Sequence, residues 1–147
     1  MKFKAIITSR STLNEKGPPS EAEILRLNPQ RREIILNKPA WIGLYEGTLN
    51  LKVQESIVYQ IRKIKPFIQE TGNSVCYPEP YKNIPKKRKN YFYYTGTISK
   101  GDCFQDVLFR IAEMPPRKDL IEAFAPERLR NTLNLEDGNQ VICDIID

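Results

Sequence analysis

Thr48 and Asn50 stand two residues apart in the stretch Leu44-Tyr45-Glu46-Gly47-Thr48-Leu49-Asn50-Leu51-Lys52-Val53. A turn signal, Glu46-Gly47, leads straight into strict alternation of apolar and polar residues. In a strand, that alternation sends Leu49, Leu51 and Val53 one way and Thr48, Asn50 and Lys52 the other. One side then carries a hydroxyl oxygen beside an amide oxygen. Two neutral oxygens at this spacing can share a Mg²⁺, an ion that keeps its waters and takes further ligands from phosphates. The same pattern also describes an edge strand with its polar side in water. The residues by themselves leave both readings open.

The chain has 147 residues and no histidine. That absence excludes a Ser-His-Asp triad, a Cys-His pair and a His-Glu-x-x-His zinc site together. Any acid or base is a carboxylate, a lysine or a tyrosine; otherwise catalysis rests on positioning and electrostatics, as in phosphoryl transfer. Cys76, Cys103 and Cys143 are far apart and odd in number, which argues against a disulfide framework or a thiolate zinc site. Cys143, in an apolar run, reads as a core residue.

The elements that must position Thr48 and Asn50 are mostly short strands. Lys4 to Thr8 reads as a strand, and Ile24 to Leu27 as a possible second one. Asn28-Pro29 opens a helix with Ile34, Ile35 and Leu36 as its apolar face, and Pro39 ends it. Glu55 to Ile68 has apolar spacings of three and four, which fit a short helix or an irregular extended segment. Tyr91 to Ile98 and Cys103 to Ile111 read as partner strands around a turn at Lys100-Gly101-Asp102. Leu120 to Phe124 is a further strand, Ala125-Pro126 starts a short helix through Leu133, and Val141 to Ile146 is the last strand. The length fits one domain over residues 1–147, mainly β, as a small barrel. No apolar run is long enough to span a membrane, and Met1-Lys2-Phe3-Lys4 does not open a signal peptide, so a cytoplasmic location is expected.

Lys82, Lys86, Lys87, Arg88 and Lys89 carry five positive charges with no acid among them, matching the whole formal net charge of +5. Tyr77, Tyr81, Tyr91, Phe92, Tyr93 and Tyr94 flank them. Basic and aromatic residues in this mixture can track a phosphate backbone and stack bases. They equally describe a solvated loop beside a strand whose tyrosines pack across a sheet.

The stretch Tyr45 to Lys52 resembles the strand signature of the archaeal CTP-dependent riboflavin kinases. Ala125-Pro126-Glu127-Arg128-Leu129-Arg130 and Leu133-Asn134-Leu135-Glu136-Asp137-Gly138-Asn139 resemble that family's Ala-Pro-x-x-Leu-Arg helix and Leu-x-Leu-x-Asp-Gly turn. The resemblance covers about Asn28 to Val53 and Asp119 to Ile146, in the same order. It implies a six-stranded cradle-loop barrel with one or two short helices. It also implies transfer of a phosphoryl group from CTP, or another nucleotide, to riboflavin, giving FMN. By the same resemblance Thr48 and Asn50 bind Mg²⁺ and Glu122 contacts the flavin. Glu127, Arg128, Leu129 and Arg130 line the nucleotide. In the enzyme reading Arg128, Arg130 or Lys16 neutralises charge on the transferred group, and Glu122 orients or deprotonates the acceptor.

The chain departs from the family in two places. The family's Gly-rich phosphate loop corresponds here to Ser9 to Gly17, which has a single glycine. Met114 stands where the family has a flavin-contacting threonine. Two other readings therefore stand beside the kinase: a non-catalytic relative that binds a nucleotide, a flavin or a protein partner, and a nucleic-acid-binding barrel using Lys86, Lys87, Arg88 and Lys89.

Overall fold

The computed structural model describes residues 1–9, 26–45, 47–70, 90–112 and 119–146. Lys16, Cys76, Met114, the basic run Lys82 to Lys89 and most of the segment Ser9 to Gly17 lie outside the described residues. So does Glu46 of the turn before the central strand.

Among the described residues seven strands form one antiparallel sheet: β1 (Lys2–Thr8), β2 (Leu49–Lys52), β3 (Ile68–Glu70), β4 (Tyr91–Lys100), β5 (Cys103–Ala112), β6 (Leu120–Phe124) and β7 (Gln140–Ile146). Six of them close a barrel in the order β4-β5-β6-β2-β1-β7 and back to β4. β3 is the short seventh strand. It pairs with β4 at Tyr91 to Tyr93, while β7 pairs with β4 at Thr95 to Ser99. The mainly β barrel expected from the sequence is therefore present.

Alternation explains the inside of the barrel. Phe3, Ala5 and Ile7 of β1 point inward, as do Leu49 and Leu51 of β2 and Val141, Cys143 and Ile145 of β7. Each is nearly sealed from water, and together they supply the apolar burial that holds the sheet closed. Burial pushes the Cys143 thiol up to about 12, so it is an inert core residue, as its apolar run suggests. The Tyr94 hydroxyl is also buried, with no hydrogen-bond partner among the described residues, and desolvation pushes its pKa up to about 12. At Gly96, β7 crosses so close to β4 that a Cβ would sit 2.0 Å from the Asp144 carbonyl oxygen. Only glycine permits that approach.

Three short helices lie wholly among the described residues, one more than the upper expectation. α1 (Pro29–Asn37) starts with proline in its first turn, as read, although the Asn28 side chain makes no capping bond. It buries Ile35 and Leu36 and leaves Ile34 exposed, so its apolar face is narrower than the sequence suggests. Its end is closed by bonds from Trp41 N–H to the Leu36 carbonyl and from Ala40 N–H to the Asn37 carbonyl, with Ala40 at φ 60°. α2 (Glu55–Arg62) puts Val58 and Ile61 into the barrel core. The ambiguous segment Glu55 to Ile68 is thus helical first and joins β3 at its end. α3 (Leu129–Thr132) is one turn, shorter than the expected helix from Ala125. Arg26 and Leu27 are helical, which corrects the possible strand there. No described helix is long and apolar enough to cross a membrane.

A second, smaller apolar cluster lies on the outer face, where Ile35 of α1 packs with Tyr93, Leu108 and Phe124, flanked by Trp41 and Leu44. Part of the barrel's outside is thereby sheltered.

Candidate functional site

The two sequence motifs become the two walls of one cleft. β2 pairs with β6 in the register Leu49↔Ala123, Asn50↔Glu122 and Leu51↔Ile121. The line continues beyond the strands, where Tyr45 N–H donates to the Ala125 carbonyl at 2.9 Å. That bond continues the strand line through Ala125, and α3 starts only at Leu129. Between the splayed ends opens a cleft of about 200 Å³. Tyr45, Gly47 and Thr48 line one side; Ala125, Arg128 and Arg130 line the other. Glu127 and Leu129 add to that second wall, and Leu49 and Ala123 also line the cleft.

These lining residues differ in what they can offer. Leu129 is buried with the barrel core, so its side chain packs rather than reaching a ligand. Arg128 and Glu127 are exposed. Arg128 makes one long contact, 3.4 Å from Nη1 to Asn131 Oδ1. Arg130 is committed elsewhere: its Nη2 lies 2.6 Å from Asp137 Oδ1. Asp137 also accepts from the Ser9 hydroxyl. The Ser9 hydrogen bond first, and that of Arg130 second, hold the Asp137 carboxyl below the usual carboxylate range. The Leu-x-Leu-x-Asp-Gly turn thus fastens Arg130 and the end of β1 together.

Thr48 precedes β2 by one residue rather than lying within it, and lines the cleft directly. Asn50 sits one rung along on the same outward face. Its cross-strand neighbours are Thr8 on β1 and Glu122 on β6. Glu122 in turn faces Arg110 on β5, and Arg110 faces Tyr93 on β4. A single rung therefore runs Thr8, Asn50, Glu122, Arg110, Tyr93 along the outside of the barrel, with directly opposed side chains in reach of one another. Arg110 Nε and Nη2 both stand 2.7 Å from Glu122 Oε2.

The sequence reading overlooked Arg110. It is the one charged residue in the apolar run Val107-Leu108-Phe109-Arg110-Ile111. A charge in such a run requires a partner, and that requirement was the available signal. Lys16 lies outside the described residues, so its position relative to the cleft is not part of this geometry. Among the described residues no three His, Cys, Asp or Glu side chains cluster as a metal cage. Of the oxygen donors, Thr48 lines the cleft, whereas Asn50 and Glu122 face each other on the adjoining rung, outside its lining.

A family model for CTP-dep_RFKase, described as domain of unknown function DUF120, matches residues 36–145. The riboflavin kinase of Thermoplasma volcanium is 28% identical over 120 residues, covering 78% of this chain and 49% of that protein. The chain thus spans about half the length of the curated relative it matches.

Proposed function

The chain belongs to the CTP-dependent riboflavin kinase domain family, and from that membership we propose that it transfers a phosphoryl group from CTP to a ribityl hydroxyl of riboflavin. The observation that supports this reading best is the pairing Asn50↔Glu122. It joins the strand motif to the residue three before Ala125, beside a cleft whose far wall carries Arg128.

In this reading the acceptor hydroxyl oxygen attacks the terminal phosphorus. The bond from that phosphorus to the bridging oxygen breaks, leaving CDP and FMN. Glu122 accepts the hydrogen bond of the hydroxyl and aligns it; the proton leaves to the carboxylate or through it to water. Arg128 is exposed at the cleft and meets the negative oxygens of the donor. Arg130, tied to Asp137, fixes the wall on which Arg128 stands rather than moving to the phosphates.

Thr48, Asn50 and Glu122 offer only hard oxygen donors, a set that fits Mg²⁺. Thr48 and Asn50 would hold the ion. Bound there, Mg²⁺ supplies charge neutralisation and orientation of the donor phosphates. The remaining task of the chain is to position two substrates, and a chain without histidine is suited to that task.

A second reading, a non-catalytic relative that keeps the cleft, is favoured by one feature, the single glycine between Ser9 and Gly17. Side chains there keep backbone N–H groups from approaching phosphates closely. Neither the family match nor the relative points to nucleic acid.

Thermal melting with Mg²⁺ and each of CTP, ATP, CDP, riboflavin and FMN separates the two, together with a direct assay of FMN formation. Ligands that bind the native state must raise its melting temperature. Catalysis requires shifts with riboflavin and with CTP, and FMN in the product. Shifts without FMN support the non-catalytic relative, and no shift with any of the five overturns the kinase and leaves only a relative that binds a protein partner.

A further inference from the structure

Arg110 is buried, with 8% of its surface exposed, on the outer face of a strand. Its guanidinium centre lies 4.3 Å from the Tyr91 ring centroid and 4.7 Å from that of Phe124. A planar cation between two rings gains cation–π attraction from both and cannot rotate freely. Arginine is the cation whose shape suits that slot; an ammonium has neither the plane nor the fork.

What the fixed plane does is visible at its edge. Nε and Nη2 converge on one carboxylate oxygen, Glu122 Oε2, at 2.7 Å each. The usual arginine–carboxylate pair shares two oxygens. Here both N–H groups meet the same atom. Glu122 keeps a quarter of its side-chain surface open, whereas Arg110 is almost sealed. The cation is the anchor and the carboxylate is the accessible partner. On the far side of Glu122 lies Asn50.

We infer that Arg110 is a positioning residue for phosphoryl transfer: held between Tyr91 and Phe124, it clamps Glu122 Oε2 so that the carboxylate is aimed at the acceptor hydroxyl beside Asn50. The inference rests on the phosphotransferase reading above. Arg110 touches no substrate; it acts only through Glu122. Misplacing a catalytic group by about 1 Å costs on the order of 100-fold in rate.

A double-mutant cycle tests it. Arg110→Met should lower kcat for FMN formation on the order of 10- to 100-fold, with the KM for CTP little changed. In a Glu122→Gln background the same substitution should change kcat by no more than about 2-fold, because the group it positions is gone. A purely structural role would cost the same factor in both backgrounds, and that result overturns the inference. Unchanged kcat in Arg110→Met alone overturns it as well. The double variant removes both charges and so avoids leaving one buried and unpaired. Should Arg110→Met fail to fold, Arg110→Lys replaces it in the cycle: it keeps a charge but loses the plane, and parental kcat in that variant counts against the clamp. Riboflavin titration, followed by flavin fluorescence, separates the two failures. A parent that neither binds riboflavin nor forms FMN ends the phosphotransferase reading and this inference with it. A parent that forms FMN with an additive cycle ends this inference alone.

Discussion

The inner and outer faces of the barrel are built by the same strands and do opposite things. On β2, Leu49 and Leu51 face the core while Asn50 faces out. On β6, Ile121 and Ala123 face in and Glu122 faces out; on β5, Phe109 and Ile111 face in and Arg110 faces out. The inner face is largely apolar. The outer face is not uniform. Over β1 and β7 it carries Lys4 and a partly open Ile6, whereas over β4, β5 and β6 it is sheltered by α1. The candidate site lies where the sheltered part gives way to the open part. Such a border lowers the local dielectric enough to strengthen a polar contact, yet admits substrate. A slip of one residue in β2 or β6 would scramble both faces together, so packing the core also sets the register of the site.

The largest expected break is in the fold. Gly96→Ala should prevent β4 and β7 from closing, since its Cβ would meet the Asp144 carbonyl oxygen at 2.0 Å and the Phe109 ring at 2.7 Å. A loss of about 3 kcal/mol or more is expected, seen as a large fall in denaturation midpoint. A parental midpoint would mean the seam is looser than described.

The faces separate next in a paired test on β2. Leu51→Ala, at a fully buried position, should cost about 2–5 kcal/mol of stability. The activity of each molecule still folded should be retained. Asn50→Leu should reverse the pattern, melting near the parent while FMN formation falls on the order of 100-fold or more. Equal losses of both properties in both variants would erase the distinction between the faces.

The smallest effect concerns the exposed outer pair. Asp137 has its carboxyl lowered below its ordinary value, by Ser9 and then Arg130. The folded state therefore favours the ionised form. Its contribution is complete above about pH 4 and is lost as the pH falls through the lowered value. Asp137→Asn should lower the melting temperature slightly at neutral pH, where the contribution is complete, and flatten its decline on the acid side. A marked neutral-pH loss would show that this outer turn supports the core.

Much of this arrangement was legible in local pattern. The alternation Leu49-Asn50-Leu51 announced which side chains face the core, and Lys100-Gly101-Asp102 announced its hairpin, with Gly101 at φ 58°. Two motifs in order suggested a shared site. Strand pairing over long sequence distances was not legible. Nothing near Asn50 says that Glu122 lies opposite, and nothing near Glu122 says that Arg110 anchors it. The start of α3 at Leu129 was not legible either, since the strand line is carried on through Ala125 by a bond from the distant Tyr45 N–H. β3 has only three residues, too few for a period to declare itself. The charge in the Val107 to Ile111 run was visible, but its partner was not.

The place of β7 between β1 and β4 has a consequence for synthesis. β1 is made before β7, and β7 after every other described strand, so until β7 is made β1 and β4 each present an open edge toward the place of an absent neighbour. Open edges recruit other chains, and contacts between distant segments form slowly. Seam closure is therefore a late step of biogenesis. A nascent chain interrupted before Gln140 exposes two unpaired edges at once.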